Sequence, residues 1–417
     1  MRIAIIGAGA AGMMAGISAA AGGATVFLFE HNDRVGKKLL LTGNGKCNFT
    51  NVDVRAEYYN SSSDDNGVIP SVLSSFGNED TIRFFGELGI YTKNRNGCLY
   101  PYSETASSVL DTLRCELKRL GVRELTDCGK IKVSVSPEGF VVTGTKLDNR
   151  ECIFDRVILA TGSKAQERTG SDGSGYRIAS GFGHKSVKVL PALTQLKSNE
   201  KWLKGVAGVR ADARVSLITD GEETASSRGE LQLVDSAVSG ICVFDISGRA
   251  SRAFDEGKKV SVMLDFMPDF PVGALVQFMT NRKNTRPEKT LEEYLTGVFN
   301  KKLNFLFLKM VGLKPDKKVS QLKEDEIKRL CELIKGVRVN ITESAGFDRA
   351  QVCTGGIRLD EVNADLSSRK IKGLYFAGEI LDVDGRCGGY NLQWAWSSGR
   401  VAALSAIGEK YDKDHTA

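Results

Sequence analysis

The chain has 417 residues, about three domain-sized units at ~150 residues each, and its 41% hydrophobic and 26% charged residues exclude a disordered or fibrous protein. The net charge of +6 comes from 57 basic and 51 acidic residues. No arginine-rich tract accompanies it, so no nucleic-acid partner is expected. Glycine is the outlier: 45 glycines stand against 8 prolines, which points to close backbone approaches rather than to flexible linkers.

The chain opens with an uncharged run, residues 3–29, in which Ala19-Ala20-Ala21 imitates a signal-peptide cleavage site. Glycines at 7, 9, 12, 16, 22 and 23 interrupt it. The run also splits into a strand (Ile3–Ile6), a small-residue helix (Ala10–Ala21) and a second strand (Thr25–Phe29), so no membrane partner is expected. Gly7-Ala-Gly9-Ala-Ala-Gly12 follows the first strand and opens the helix. In a dinucleotide fold Gly7 makes the tight turn, Gly9 admits the pyrophosphate and Gly12 lets helix and strand pack. The diphosphate then faces the positive end of the helix dipole. Glu30 ends the second strand, 18 residues after Gly12, where a carboxylate accepts from the ribose hydroxyls.

After Glu30 comes a basic, glycine-rich segment, Arg34 to Asn51, in place of the next βα unit of an NAD domain. It suits a pyrophosphate and a ribityl chain, and so favours FAD. Val157-Ile-Leu-Ala-Thr161-Gly162 and Gly373-Leu-Tyr-Phe-Ala-Gly378-Glu379 read as two more strands ending in glycine turns. Gly170-Ser-Asp-Gly173-Ser-Gly175 has the wrong spacing for a second fingerprint, so a separate NAD(P)H domain is not expected. Residues 382–393 form a loop before a helix of small and apolar residues, Trp394 to Leu404. The start of that helix, Gly389 to Leu392, leaves unpaired N–H groups that suit the N1–C2=O edge of a flavin.

The middle of the chain changes character. Ala213–Ile218, Cys242–Ile246 and Lys259–Leu264 read as antiparallel strands. Residues 273–335 read as helical, with Leu291–Phe299 and Glu324–Ile334 as the clear pieces, and Val337–Ile341 returns as a strand. Arg282, Lys283, Arg286, Lys301 and Lys302 make the helical stretch locally basic. They read as a solvated surface, with guidance of an acidic substrate as the alternative.

The chain resembles the BaiN/RdsA-type NAD(P)/FAD-dependent (aminoacetone-oxidase-like) oxidoreductases over nearly its whole length. The resemblance lies in Thr42-Gly-Asn-Gly-Lys-Cys-Asn-Phe-Thr-Asn51, Tyr100–Val109, Thr169–Tyr176, Gly183-His184, Pro191-Ala-Leu193, Gly229-Glu230, Ser239-Gly240, Thr354-Gly-Gly-Ile357 and Gly378-Glu379 through Gln393. It implies an α/β chain: a Rossmann-like, glutathione-reductase-like FAD domain (1–190 and 355–417) with a β-rich, barrel-like insert (191–267 and 336–354) and a helical insert (268–335). It also implies FAD contacts at Gly7, Gly9, Ala11, Gly12, Glu30, Lys38, Thr42, Gly43, Gly45, Asn48, Thr161, Gly162, Gly378, Glu379, Gly389, Tyr390, Asn391 and Leu392. Lys46 departs from the family's usual Arg, and Val234-Asp-Ser-Ala237 and Ile241 from its Thr-His-Tyr-Gly and Pro, which puts a substrate role there in doubt.

No general base is evident. His31, His184 and His415 read as structural, and Arg386 and Cys387 read as loop residues beside the flavin edge. Cys47 invites comparison with disulfide reductases, but the next cysteine is Cys98, too distant in sequence for a redox pair. The nine cysteines contain no CxxC and, with three histidines, no metal-ligand spacing. Such thiols fit a cytoplasmic protein. The expected function is an FAD-dependent oxidoreductase exchanging a hydride at flavin N5 with a small molecule. A reductase fed transiently by NAD(P)H and a non-catalytic FAD-binding redox sensor or assembly module are the alternatives.

Overall fold

A computed structural model describes residues 1–147 and 152–408. The chain divides into two compact units, residues 1–190 with 351–417 and residues 191–350.

The first unit is built on five parallel strands: β1 (Arg2–Ile6), β2 (Thr25–Phe29), β3 (Arg123–Leu125), β4 (Arg156–Leu159) and β5 (Leu374–Phe376), in the order β5-β4-β1-β2-β3. β1 is central, and Ile3, Ala4 and Ile5 have no exposed surface. That is why its sequence is a continuous apolar run rather than an alternating one. Between β1 and β2 runs α1 (Ala10–Ala21), apolar on all sides and buried from Ala11 to Ala19. A helix of Ala, Gly and Met allows close backbone approach, and the C-terminal helix α2 (Tyr390–Ile407) uses it. A methyl group on Gly399 would stand 2.4 Å from the Ala11 carbonyl oxygen. Two buried indoles fix α2: Trp394 Nε1 donates to Gly378 O at 3.2 Å and Trp396 Nε1 to Phe49 O at 2.9 Å.

The second unit carries a seven-stranded antiparallel sheet with Val337–Asn340 at one edge and Glu343–Ser344 at the other. Seven flat strands would separate those edges by about 29 Å at ~4.8 Å per strand, whereas three residues of chain span at most ~11 Å. The sheet therefore curls on itself. Ser198, beside the strand Leu196–Lys197, donates to Asn340 O at 2.7 Å. Helices Val272–Thr285, Leu291–Leu295, Lys301–Met310 and Glu324–Lys335 share one hydrophobic core with this sheet.

Two local expectations are corrected. Cys242–Ile246 is not a strand but the start of a helix, Ile241–Asp255, whose buried residues Cys242, Val243, Ile246, Ser247, Ala250 and Ala253 follow a helical repeat. Five residues are too few to separate the two periods. The helix at Leu291 stops at Leu295, before Gly297 with φ +88°.

Candidate cofactor site

Parallel strands deliver their C-terminal ends to one edge of the sheet, and β1, β4 and β5 carry Gly7, Thr161 and Gly378 there. Each glycine of the fingerprint has a distinct steric reason. Gly7 has φ +102°, and a Cβ on it would lie 2.5 Å from Ala160 O. A Cβ on Gly12 would lie 1.9 Å from Gly7 O, so the helix seats on the turn only without a side chain. Gly9 has nothing within 4 Å. It opens onto free space at the start of α1, whose first turn no side chain caps.

Glu30 is nearly buried and folds toward this turn: Oε2 accepts from Ala8 N at 3.1 Å, and Oε1 from Asn32 N at 2.9 Å. The loop that follows is wound by left-handed residues, Gly43, Asn44, Gly45 and Cys47, with φ between +54° and +82°. Thr42 closes it, donating to Leu39 O at 2.6 Å and accepting through its carbonyl from Cys47 N at 3.0 Å. The Cys47 thiol is buried and pushed up to about 12 by desolvation. A thiol so protonated is packing rather than a redox centre.

Lys38 Nζ lies 2.6 Å from Glu379 Oε2, and Ser163 Oγ donates to the same oxygen at 3.3 Å. Gly378 has φ +76° and approaches Ala11, while its N–H donates to Ser398 Oγ on α2 at 2.9 Å. At the start of α2, Gly389 has φ +97°, and a Cβ there would strike Thr50 O at 2.5 Å. Asn391 turns back, pairing its amide with Gly385 N and O, each at 2.8 Å. Leu392 is partly buried against the unit's core.

Among the described residues, Asn48 Oδ1, beside Gly389, Thr161 Oγ1, at the end of β4, and Asp382 Oδ1, behind them, are buried without a hydrogen-bond partner. Such orphans are rare in a finished core. With open space at Gly9 and an uncapped helix, they fit a polar, phosphate-bearing cofactor.

Sequence reasoning missed the segment that backs this site. Asp382 is fully buried, and its Oδ2 accepts from Ser62 N (2.9 Å), Ser63 N (2.7 Å), Ser61 Oγ (3.1 Å) and Ser63 Oγ (2.8 Å). Tyr58, Tyr59 and Tyr390 form an aromatic cluster next to it. An S-S-S run three hundred residues from an Asp carries no local signal.

The two described histidines lie in different surroundings. His184 is buried and bonded to Ser368 Oγ at 2.8 Å and Glu361 Oε2 at 3.2 Å. His31 sits 3.7 Å from Glu30, and His415 lies outside the described residues. The basic helical stretch is largely engaged. Lys283 and Lys302 reach the carbonyls of Leu322 and Ala207 at 2.6 and 2.9 Å, and Lys301 pairs with Glu292 at 2.8 Å. Among the described residues no group of His, Cys, Asp or Glu is placed to hold a metal ion. No described helix is long and apolar enough to cross a membrane.

A five-stranded parallel sheet, a glycine turn under an uncapped helix and an acid at the end of the second strand, with the family match, mark a Rossmann-type FAD flavoenzyme, an oxidoreductase. The chain belongs to the HI0933-like protein Rossmann domain family, whose model matches residues 1–405. It is 41% identical over 408 residues to a 3-dehydro-bile acid delta(4,6)-reductase of Clostridium scindens, covering 97% of this chain and 98% of that one. It is also 30% identical to the ribosomal RNA dihydrouridine synthase of Escherichia coli, over 97% of this chain and 98% of that one. The corresponding Haemophilus influenzae enzyme is 28% identical, over 96% and 97%.

Proposed function

We propose that this protein reduces a conjugated carbon–carbon double bond in a small, hydrophobic ketone, with FAD as hydride carrier and NAD(P)H as transient electron donor. The observation that carries the reading is the 41% identity, end to end, to the bile acid reductase, against 28–30% to the RNA enzymes. When bound, FAD supplies a hydride at N5. Gly7, Gly9, Ala11 and Gly12 hold the diphosphate with backbone N–H groups, and Glu30 accepts from the ribose. Lys38, Thr42, Gly43, Gly45 and Asn48 line the ribityl chain and ring, and Thr161, Gly162, Gly378 and Glu379 close the strand ends. The backbone of Gly389–Leu392 at the start of α2 would hold the flavin ring, and its free N–H groups would stabilise negative charge there. No disulfide joins the eight cysteines whose side chains are described. This supports a reducing, cytoplasmic location.

The test is anaerobic. The purified protein is expected to be yellow, to bleach with NAD(P)H, and to regain its colour on adding a 3-oxo-Δ4 steroid. A colourless protein that stays so after reconstitution with FAD overturns the reading. So does a bleached protein that only oxygen re-oxidises.

A second reading, reduction of a uracil base in RNA, has one observation in its favour. Tyr91 and Tyr102 are 78% and 65% exposed with ring centroids 6.0 Å apart. Lys93 lies over the Tyr102 ring, and Lys46 and Arg95 are close by around Glu104. Aromatic faces beside cations suit single-stranded RNA. Salt-sensitive retention of ribosomal RNA on a filter, lost in Tyr91→Ala/Tyr102→Ala, would favour it.

A further inference from the structure

Lys46, Lys93 and Arg95 bring three cations to one carboxylate. Lys93 and Arg95 lie two apart on the strand Thr92–Arg95, on one face of it, and each forms an ion pair with Glu104 Oε1. Lys46, from the loop wound by Gly43–Cys47, stands 3.6 Å from Glu104 Oε2. Glu104 takes this position at φ +53°, a left-handed conformation that is unfavourable for a residue with a side chain. Its N–H donates to Pro101 O at 2.8 Å and closes the turn. Lys93 and Arg95 hold its carboxyl down to about 2, so it stays ionised. Among the described residues no second carboxylate pairs with these three cations. Two positive charges are therefore left in excess at one point. The three side chains are 38–47% exposed, and they carry more N–H donors than one carboxylate can accept.

Two aromatic rings stand beside this cluster. Thr92–Arg95 pairs with Cys98–Pro101, and Tyr102 N donates to Tyr91 O at 2.6 Å just beyond the paired residues. Lys93 Nζ lies 5.5 Å from the centre of the Tyr102 ring, which leaves Tyr91 as the more open of the two faces. Tyr100, in the same hairpin, lies against the loop at Gly43, where a Cβ would come within 3.4 Å of its ring. The cluster therefore adjoins the loop to which the ribityl chain was given above.

We propose that this patch binds the adenosine 2′-phosphate of NADPH, with Lys46, Lys93 and Arg95 on the phosphate and Tyr91 stacked on the adenine. This rests on the reductase reading above, and it makes the donor NADPH rather than NADH. The chain carries one dinucleotide fingerprint, at Gly7–Gly12, so under that reading a second nucleotide is held elsewhere. Charge selects the kind of phosphate. A phosphate monoester carries about −1.5 to −2 at pH 7, which two excess positive charges at one point match. An RNA strand spreads its charge along phosphodiesters and calls for a groove of cations that tracks its backbone. These three converge on one carboxylate instead.

Calorimetry on the FAD-loaded protein, with adenosine 2′,5′-bisphosphate as probe and AMP as comparator, tests the site without turnover. The bisphosphate should bind about tenfold or more tightly than AMP, and Lys93→Ala/Arg95→Ala should remove that preference. Tyr91→Ala should weaken both ligands alike, and FAD content reports whether each variant is folded. The Lys93→Ala/Arg95→Ala protein should also show a KM for NADPH raised by about tenfold or more, against less than about threefold for NADH. Equal affinity of the wild type for the bisphosphate and AMP overturns the proposal, as does a double variant that keeps the preference. So does a single-stranded oligoribonucleotide that displaces the bisphosphate and binds more tightly than it, the result the RNA reading expects. If neither nicotinamide nucleotide bleaches the wild type, the reductase reading falls, and the calorimetry still decides whether the phosphate site exists.

Discussion

A single methyl group decides whether the fingerprint can exist. Gly12 faces the Gly7 carbonyl at a distance no Cβ tolerates, and α1 cannot shift because α2 presses on its other side. Gly12→Ala is therefore expected to yield protein without bound FAD and to lower stability by about 1–3 kcal/mol. Flavin absorbance and a urea titration measure both. His184 makes a different kind of prediction. Burial holds its imidazole below the usual 6.5, against the pull of Glu361. Between the lowered value and 6.5 the unfolded chain binds the extra proton, so stability rises with pH through that window and the contribution is complete above it. Urea midpoints should fall for wild type as pH drops below 6.5, and fall less for His184→Gln. Residues of this kind differ in how far they show in a sequence. Gly7, Gly9 and Gly12 are readable because their spacing within six positions is itself the signal, although the Ala160 carbonyl that excludes a side chain at Gly7 is far along the chain. Asp382 and its three serines are not, because the four donors on one carboxylate oxygen arise only when distant segments meet.

Elements show the same division. β1, α1 and β2 were legible because each is uniform in burial over its length, and α2 because its small-residue run is long. The helix Ile241–Asp255 was not, since its first five residues satisfy strand and helix patterns alike and only the fourth turn distinguishes them. The backing segment gives an element-scale prediction. Asp382→Ala leaves the N–H groups of Ser62 and Ser63 without their acceptor, so that residues 61–63 are tied to the 382–385 loop only through the neighbouring pairing of Tyr59 and Asn60 with Gly385 and Asp384. A loss of about 2–4 kcal/mol is expected, visible as a lower urea midpoint. The Ser61→Ala change removes one donor and should cost far less.

At the scale of the molecule, residues 191–350 enter and leave through neighbouring strands. Leu196–Lys197 pairs antiparallel with Glu343–Ser344, and Ala345 N donates to Gln195 O at 2.8 Å. Adjacent ends and a hydrophobic core of its own mark a unit that folds alone. Expressed separately, residues 191–350 should give one cooperative thermal transition by circular dichroism; a non-cooperative melt would contradict this. The curl of its sheet could not be read in advance, because it follows from strand order and not from any strand's own pattern.

The cofactor unit is assembled from both ends of the chain, and this bears on how the protein is made. Synthesis runs from the N-terminus at roughly 5–20 residues per second. α1 leaves the ribosome early, but β5 and α2, which supply Gly378, Ser398 and the Gly389 turn, come last. For most of a translation cycle the small-residue face of α1 has no partner. The nascent protein carries an intact glycine fingerprint and no completed place for a flavin. A chain stopped near residue 370 would keep every residue of that fingerprint yet lack β5 and α2, and is expected to purify colourless.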